Sequence, residues 1–117
     1  MKISKAKELC RGLPGATEDI KWGADLVFSV GGKMFACMGA EDAEGISFKV
    51  DDDRFLELTD REGIIPAPYL ARVKWVKITD LKAVGDTEAA ELLKRSHQLV
   101  FGKLTKKLQR EIAGAQA

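Results

Sequence analysis

The sequence predicts an α+β fold, a two-layer sandwich in which one face of an antiparallel sheet is covered by helices and the other is open. Three observations carry this. A block between residues 25 and 50 alternates side chains with the period of two that strands require. Apolar residues at both ends of the chain recur instead at helical spacing, so strands are grouped between helices rather than interleaved with them. The chain has 117 residues, 45% of them hydrophobic and 32% charged, which makes one soluble domain with enough apolar surface for a single core.

Each element follows in order. Ile3, Ala6, Leu9, Cys10 and Leu13 mark a short first helix, with Ser4 as N-cap and Gly12 with Pro14 as its stop. "TEDIKW" is the first extended segment, turning at Gly23-Ala24. Leu26, Phe28 and Val30 then alternate with Val27 and Ser29, and beyond Gly31-Gly32 the residues Met34, Ala36 and Met38 alternate with Phe35 and Cys37. A Gly-Gly pair between alternating runs is a tight hairpin signal, because both turn positions reach positive φ at little cost. After the acidic loop "GAEDAEG", Ile46, Phe48 and Val50 give one more strand.

"DDDRFLELTDREG" predicts a second helix. Asp51, Asp52 and Asp53 suit the positive end of its dipole, and Gly63 closes it. Capping is preferred to a metal site, since adjacent carboxylates diverge and no further ligand spacing follows. "IIPAPYL" predicts an irregular, partly apolar loop, because Pro66 and Pro68 each remove a backbone donor. "RVKWVKI" reads as a strand, with Val73, Trp75 and Lys77 on one side and Lys74, Val76 and Ile78 on the other. The final segment predicts one long helix striped by Ala89, Leu93, Val100, Leu104, Leu108 and Ile112. Asp86, Glu88 and Glu91 crowd its start, and Lys103, Lys106, Lys107 and Arg110 its end. Gly102 falls mid-helix, at a cost of about 1 kcal/mol relative to alanine, for close packing on the sheet.

Several function classes are disfavoured. No apolar run approaches the ~20 residues of a membrane span, and "MKISKAKELC" has no continuous apolar core of a secretory signal, so a cytoplasmic protein is expected. Cys10 and Cys37 form no C-x-x-C pair and are expected as reduced, buried, small hydrophobes. His97 is the only histidine; there is no zinc-binding spacing, no G-x-S-x-G elbow and no phosphate-cradling G-x-x-x-x-G-K-[ST] loop. The expectation is a protein that is not an enzyme, with no catalytic residues, metal or cofactor.

Charge is uneven. Residues 14–60 hold eleven acids and four bases, residues 61–117 hold eleven bases and six acids, and residues 1–13 four bases and one acid. A chain with a basic and an acidic half can meet a polyanion on one face only.

The succession "LPGATEDIKWGADLVFSVGGKMFACM", "ISFKVDDD", "IIPAPYLARVKWVKI" and "ELLKRSHQLVFGKLTKK" resembles the MmcQ/YjbR family of small bacterial proteins, from Leu13 to about Lys107. The resemblance implies a CyaY-like (frataxin-like) fold, with two terminal helices on one face of an antiparallel sheet, and a DNA-binding role attributed to a double-wing arrangement. It brings no catalytic residues. The chain departs from the family pattern where a Lys-Lys/Arg-His-Trp stretch becomes Arg72, Val73, Lys74 and Trp75, and where a tyrosine of the last helix becomes His97. The iron binding that a frataxin-like fold suggests needs an acidic first helix; here Lys2, Lys5, Lys7 and Arg11 face a single Glu8, so iron is rejected.

Two functions are carried forward. In the first, a monomer binds double-stranded DNA: Arg72, Lys74, Lys77 and Lys82 contact phosphates, Tyr69 and Trp75 stack or wedge, and Lys103, Lys106 and Lys107 add affinity. Trp75 fits the core as well as it fits a ligand. In the second, an adaptor binds a protein or small molecule on the open sheet face and the Pro-rich loop, where Ile64, Ile65, Pro66 and Tyr69 line an apolar patch.

Overall fold

The structure, a computed structural model, describes residues 1–21, 25–39 and 45–116, the last two of these without their side chains. In chain order the elements are α1 (Ile3–Arg11), β1 (Ala16–Lys21), β2 (Asp25–Val30), β3 (Lys33–Gly39), β4 (Ile46–Lys49), α2 (Asp52–Thr59), β5 (Ile64–Pro66), β6 (Trp75–Ile78), α3 (Asp86–Phe101) and α4 (Lys106–Gln116). Short 3-10 turns lie at Ala71–Val73 and Leu81–Ala83. The fold is α+β. Six strands in the order β1-β2-β3-β4-β6-β5 pair antiparallel throughout, which leaves β1 and β5 as the edges. The turn expected at Gly23-Ala24 and the interior of the acidic loop lie outside the described residues.

Strand register sorts the side chains. Phe28, Ala36, Phe48 and Val76 stand in one cross-strand row, and Leu26, Met38, Ile46, Ile78 and Ile64 in the next. Both rows are buried and join one core, which the helices close with Ala6, Cys10, Leu58, Ala89, Leu92, Leu93 and Val100. Apolar residues fall on alternate strand positions because the pleat sends successive side chains to opposite faces. The intervening row, Asp19, Val27, Cys37, Ser47, Lys77 and Ile65, belongs to the other face.

A bulge ties the sheet to α3. Register slips between Phe28 and Ser29, so Phe35 is an extra residue in β3. The fully buried Ser96 donates to its carbonyl at 2.6 Å and accepts from the Lys49 amide at 3.0 Å. Beside it His97, 6% exposed, donates from Nε2 to the Pro14 carbonyl at 2.7 Å. Its ring meets Phe35 edge-on at 5.2 Å and stacks on Phe101 at 6.0 Å.

Several elements differ from the sequence expectation. Ile64–Pro66 is a strand, not an irregular loop; as an edge it pairs on one side only, where a proline is tolerated. β6 begins at Trp75 rather than at Arg72, because Ala71–Val73 closes a 3-10 turn and Lys74 takes a left-handed φ of 65°. The long terminal helix is two. Gly102 is the C-cap of α3, and Thr105 Oγ1 accepts from the Leu108 amide at 3.2 Å to start α4. Leu104, Leu108 and Ile112 still pack on the core, so the apolar stripe survives the break.

Asp51 occupies the N-cap position of α2 but makes no side-chain cap; its two oxygens accept from Arg95 Nε and Nη2, both at 2.9 Å. Lys2, not Ser4, stands at the N-cap of α1. Cys10 is fully buried, and burial pushes its thiol up to about 12. Cys37 is free but only half-buried, on the open face rather than in the core. Among the described residues, no helix is long and apolar enough to cross a membrane.

Candidate functional site

The face away from the helices is partly roofed by the chain that links β5 to β6. Ala67 and Trp75 are buried there, 2% and 4% exposed, although neither belongs to the helix-side core. The connection is held down by the Ala67 amide, which donates to the Trp75 carbonyl at 3.0 Å, and by the Trp75 amide, which donates to Leu70 O at 3.2 Å. Between this connection and the strands lies a groove of about 690 Å³. Cys37, Ser47 and Lys77 form part of its floor, with Asp25 and Met34 along it and Pro68, Tyr69 and Leu70 on the far wall. Gly45, with φ 109°, lets the Lys77 side chain lie close: a β-carbon there would sit 2.7 Å from Lys77 Cε.

The nine residues singled out from sequence do not form one surface. Tyr69 is fully exposed on the groove wall, in a left-handed conformation with φ 67°. Arg72 is exposed in the 3-10 turn. Lys74, next to it, lays its ammonium over the Phe55 ring at 5.0 Å. Trp75 is corrected: at 4% exposure its ring is packed under the connection and is not offered to a base. Lys77 lies within the groove. Lys82, in the turn Leu81–Ala83, follows the far end of β6 and is separated from Arg72 and Lys74 by the length of that strand. Lys103, Lys106 and Lys107 are exposed at the α3–α4 junction, which packs against the β2–β3 hairpin through Leu104 and Gly31. Of the apolar patch expected around the Pro-rich loop, Ile64 is buried in the core and only Ile65, Pro66 and Tyr69 are exposed.

Lys49 is the functional candidate the sequence reading missed. Its Nζ donates to the Val73 carbonyl at 2.5 Å, tying β4 to the 3-10 turn. Burial and then the neighbouring Lys103 ammonium hold its pKa below the usual lysine value. Lys49 therefore joins Arg72 and Lys74 to the α3–α4 junction. The signal was available: alternation with Ile46, Phe48 and Val50 sends Lys49 to the open face.

Four arginines, by contrast, are paired with carboxylates. Arg61 meets Glu88 at 2.7 Å and Glu57 at 2.8 Å, Arg54 reaches the same two carboxylates, Arg95 meets Asp51, and Arg11 meets Glu18 at 2.8 Å. The Arg61 guanidinium holds Glu88 below the usual carboxylate range, and Arg95 does the same to Asp51. Among the described residues, Lys49, Arg72, Lys74, Lys77, Lys103, Lys106 and Lys107 make no such ion pair, and neither do Lys2, Lys21, Lys33, Lys82, Lys94 and Arg110.

Comparison with known proteins places this architecture. The crystal structure of the Deinococcus radiodurans protein DR2400, which carries the family-model domain DUF419, is similar with a TM-score of 0.83 and 29% identity, over 96% of this chain and 88% of that one. A protein from Pseudomonas syringae shares the fold, with a TM-score of 0.69 and 20% identity, over 86% of this chain and 99% of that one. No curated protein matches the chain. The family model YjbR matches residues 11–99, all six strands of the described sheet together with α2 and nearly all of α3, and the chain belongs to the YjbR family.

Proposed function

We propose that this protein is a non-catalytic, monomeric DNA-binding module that grips duplex phosphates at one end of its sheet. The observation that carries the reading is the convergence of Lys49, whose Nζ donates to the Val73 carbonyl beside Arg72 and Lys74, with Lys103 of the α3–α4 junction; burial first and then the Lys103 ammonium hold the Lys49 pKa low, against Asp52, which raises it. Like charges held together cost free energy, and a bound phosphate between them relieves that cost. Arg72 and Lys74 on one flank, with Lys106 and Lys107 on the other, extend the footprint, and the exposed Tyr69 ring beside it can act as a wedge. Lys82 and Trp75 fall outside the footprint, and Lys77 belongs to the groove. The net charge of only +1 suits a local basic patch on an otherwise neutral surface. The frame itself is assigned to the CyaY-like arrangement, on the strength of α1 and α3 packing together over one face of the antiparallel sheet.

The test is fluorescence anisotropy of labelled duplex DNA at two salt concentrations. Wild type is expected to bind, and to weaken steeply with salt. Lys49→Ala/Lys103→Ala and Arg72→Ala/Lys74→Ala should each weaken binding and lower the salt slope by about 0.9 for every phosphate no longer neutralised, while Lys82→Ala leaves both unchanged. Absence of binding at low salt, or a slope indifferent to both double variants, refutes the assignment.

A further inference from the structure

The groove on the open face is not explained by phosphate contacts. Lys77 is half-buried along a concave floor with Cys37 and Ser47, on a face that the Lys49–Lys103 footprint does not include. Much of the described lining is apolar: Met34, Ala67, Pro68 and Leu70. Its volume of about 690 Å³ falls in the ~300–1,000 Å³ range of small-molecule sites. Among the described residues its charged groups are two. Lys77 stands on β6 and Asp25 on β2, three strand spacings apart, roughly 14 Å across the sheet. Among the described residues neither is in an ion pair. Cys37 lies between them, and its pKa is raised, by burial first and then by Asp25, with Lys77 opposing.

We infer that this groove binds a small amphipathic monoanion, with its acidic group on the Lys77 ammonium and its flat apolar body between Met34 and the Pro68–Leu70 wall. Lys77 supplies the cation, and the apolar lining supplies the affinity that a lone surface ion pair lacks. Asp25 sets the specificity: a second anionic group at the far end of the ligand approaches a carboxylate, so a dianion of the same shape is disfavoured. The backbone favours this use of the site. Tyr69 takes its left-handed φ as the third residue of a turn closed by the Leu70 amide donating to the Ala67 carbonyl at 3.1 Å, with Pro68 before it, and this turn shapes the wall.

The probe is naphthalene-2-carboxylate, and the reporter is the Cys37 thiol. Cys10 is fully buried and Cys37 is not, so neutral iodoacetamide labels Cys37 in the folded protein. Saturating naphthalene-2-carboxylate should slow labelling of wild type at least fivefold. Naphthalene-2,6-dicarboxylate should protect markedly less, and Asp25→Asn should remove that difference. Lys77→Met should weaken protection by the monocarboxylate at least tenfold, while Lys77→Arg retains it, which separates loss of the charge from loss of the fold. Short duplex DNA should not protect Cys37, so the outcome is independent of the phosphate footprint. No protection by the monocarboxylate at millimolar concentration, or equal protection of wild type and a folded Lys77→Met variant, overturns the inference.

Discussion

Tyr69 and Trp75 are two aromatic residues six positions apart with opposite fates. Trp75 is packed beneath the β5–β6 connection, and Tyr69 stands fully exposed above it with φ 67°. Trp75→Ala should therefore cost about 3 kcal/mol of stability, as removal of a buried aromatic does. Tyr69→Gly is expected to leave stability within about 1 kcal/mol, since relief of left-handed strain offsets the extra freedom of glycine in the unfolded chain. Urea unfolding measures both. The same Tyr69→Gly variant should bind duplex DNA several-fold more weakly in the anisotropy assay, because a ring able to wedge at a base step is removed. Nothing in "PYLARVKWVKI" separated these two rings. Period-two alternation from Arg72 onward put Trp75 beside Lys77, but the left-handed Lys74 breaks that alternation, and positive φ at a lysine leaves no mark in composition.

The strands of the β2–β3–β4 block were legible as elements because their pattern is local: each alternates, and Gly31-Gly32 punctuates the first hairpin. Gly31 shows why glycine is needed there, with φ 58° and a site for a β-carbon only 2.6 Å from Leu104 Cδ1. The split between α3 and α4 was hidden for the opposite reason. An apolar stripe that continues across the break reports a shared core, not an unbroken helix, and only the Thr105 cap betrays the new start. The bulge at Phe35 was equally hidden, since its meaning depends on Ser96, far along the chain. Ser96→Ala strands the Phe35 carbonyl and the Lys49 amide together. We expect a loss of about 2 kcal/mol, seen as a lower urea midpoint with unchanged slope, and faster hydrogen exchange at the Lys49 amide. If Ser96 also positions Lys49 for phosphate, the salt slope of DNA binding should fall in the folded variant.

At the scale of the molecule, the groove arises from the strand order. β4 lies beside β6, and β6 beside β5, so Cys37, Ser47 and Lys77 meet only when residues distant in sequence pair in register. No reading of local spacing could bring them together. The helix side is fastened by ion pairs between elements: Arg61 and Arg54 of α2 and its C-terminal extension to Glu88 of α3, and Arg95 of α3 to Asp51. Glu88 and Asp51 have lowered pKa values in the folded state, so their stabilisation is fully present above the ordinary carboxylate range and is lost as pH falls through the depressed folded values. Thermal unfolding between pH 7 and pH 2 should show this acid limb. Glu88→Gln should cost about 1 kcal/mol near neutrality, and its melting temperature should converge with that of wild type at the acid end.

The two borders of the sheet carry a last consequence. β5 is three residues long and closes on Pro66, so no further strand can add along it. β1 is six residues long, almost wholly exposed and, among the described residues, guarded by the charges of Asp19 and Lys21 around the exposed Ile20, since Glu18 is paired with Arg11. Steric protection at β5 is indifferent to salt, whereas electrostatic protection at β1 is not. Self-association by strand addition is thus channelled to a single border, and it grows as ionic strength rises, the reverse of the salt dependence that governs the basic end.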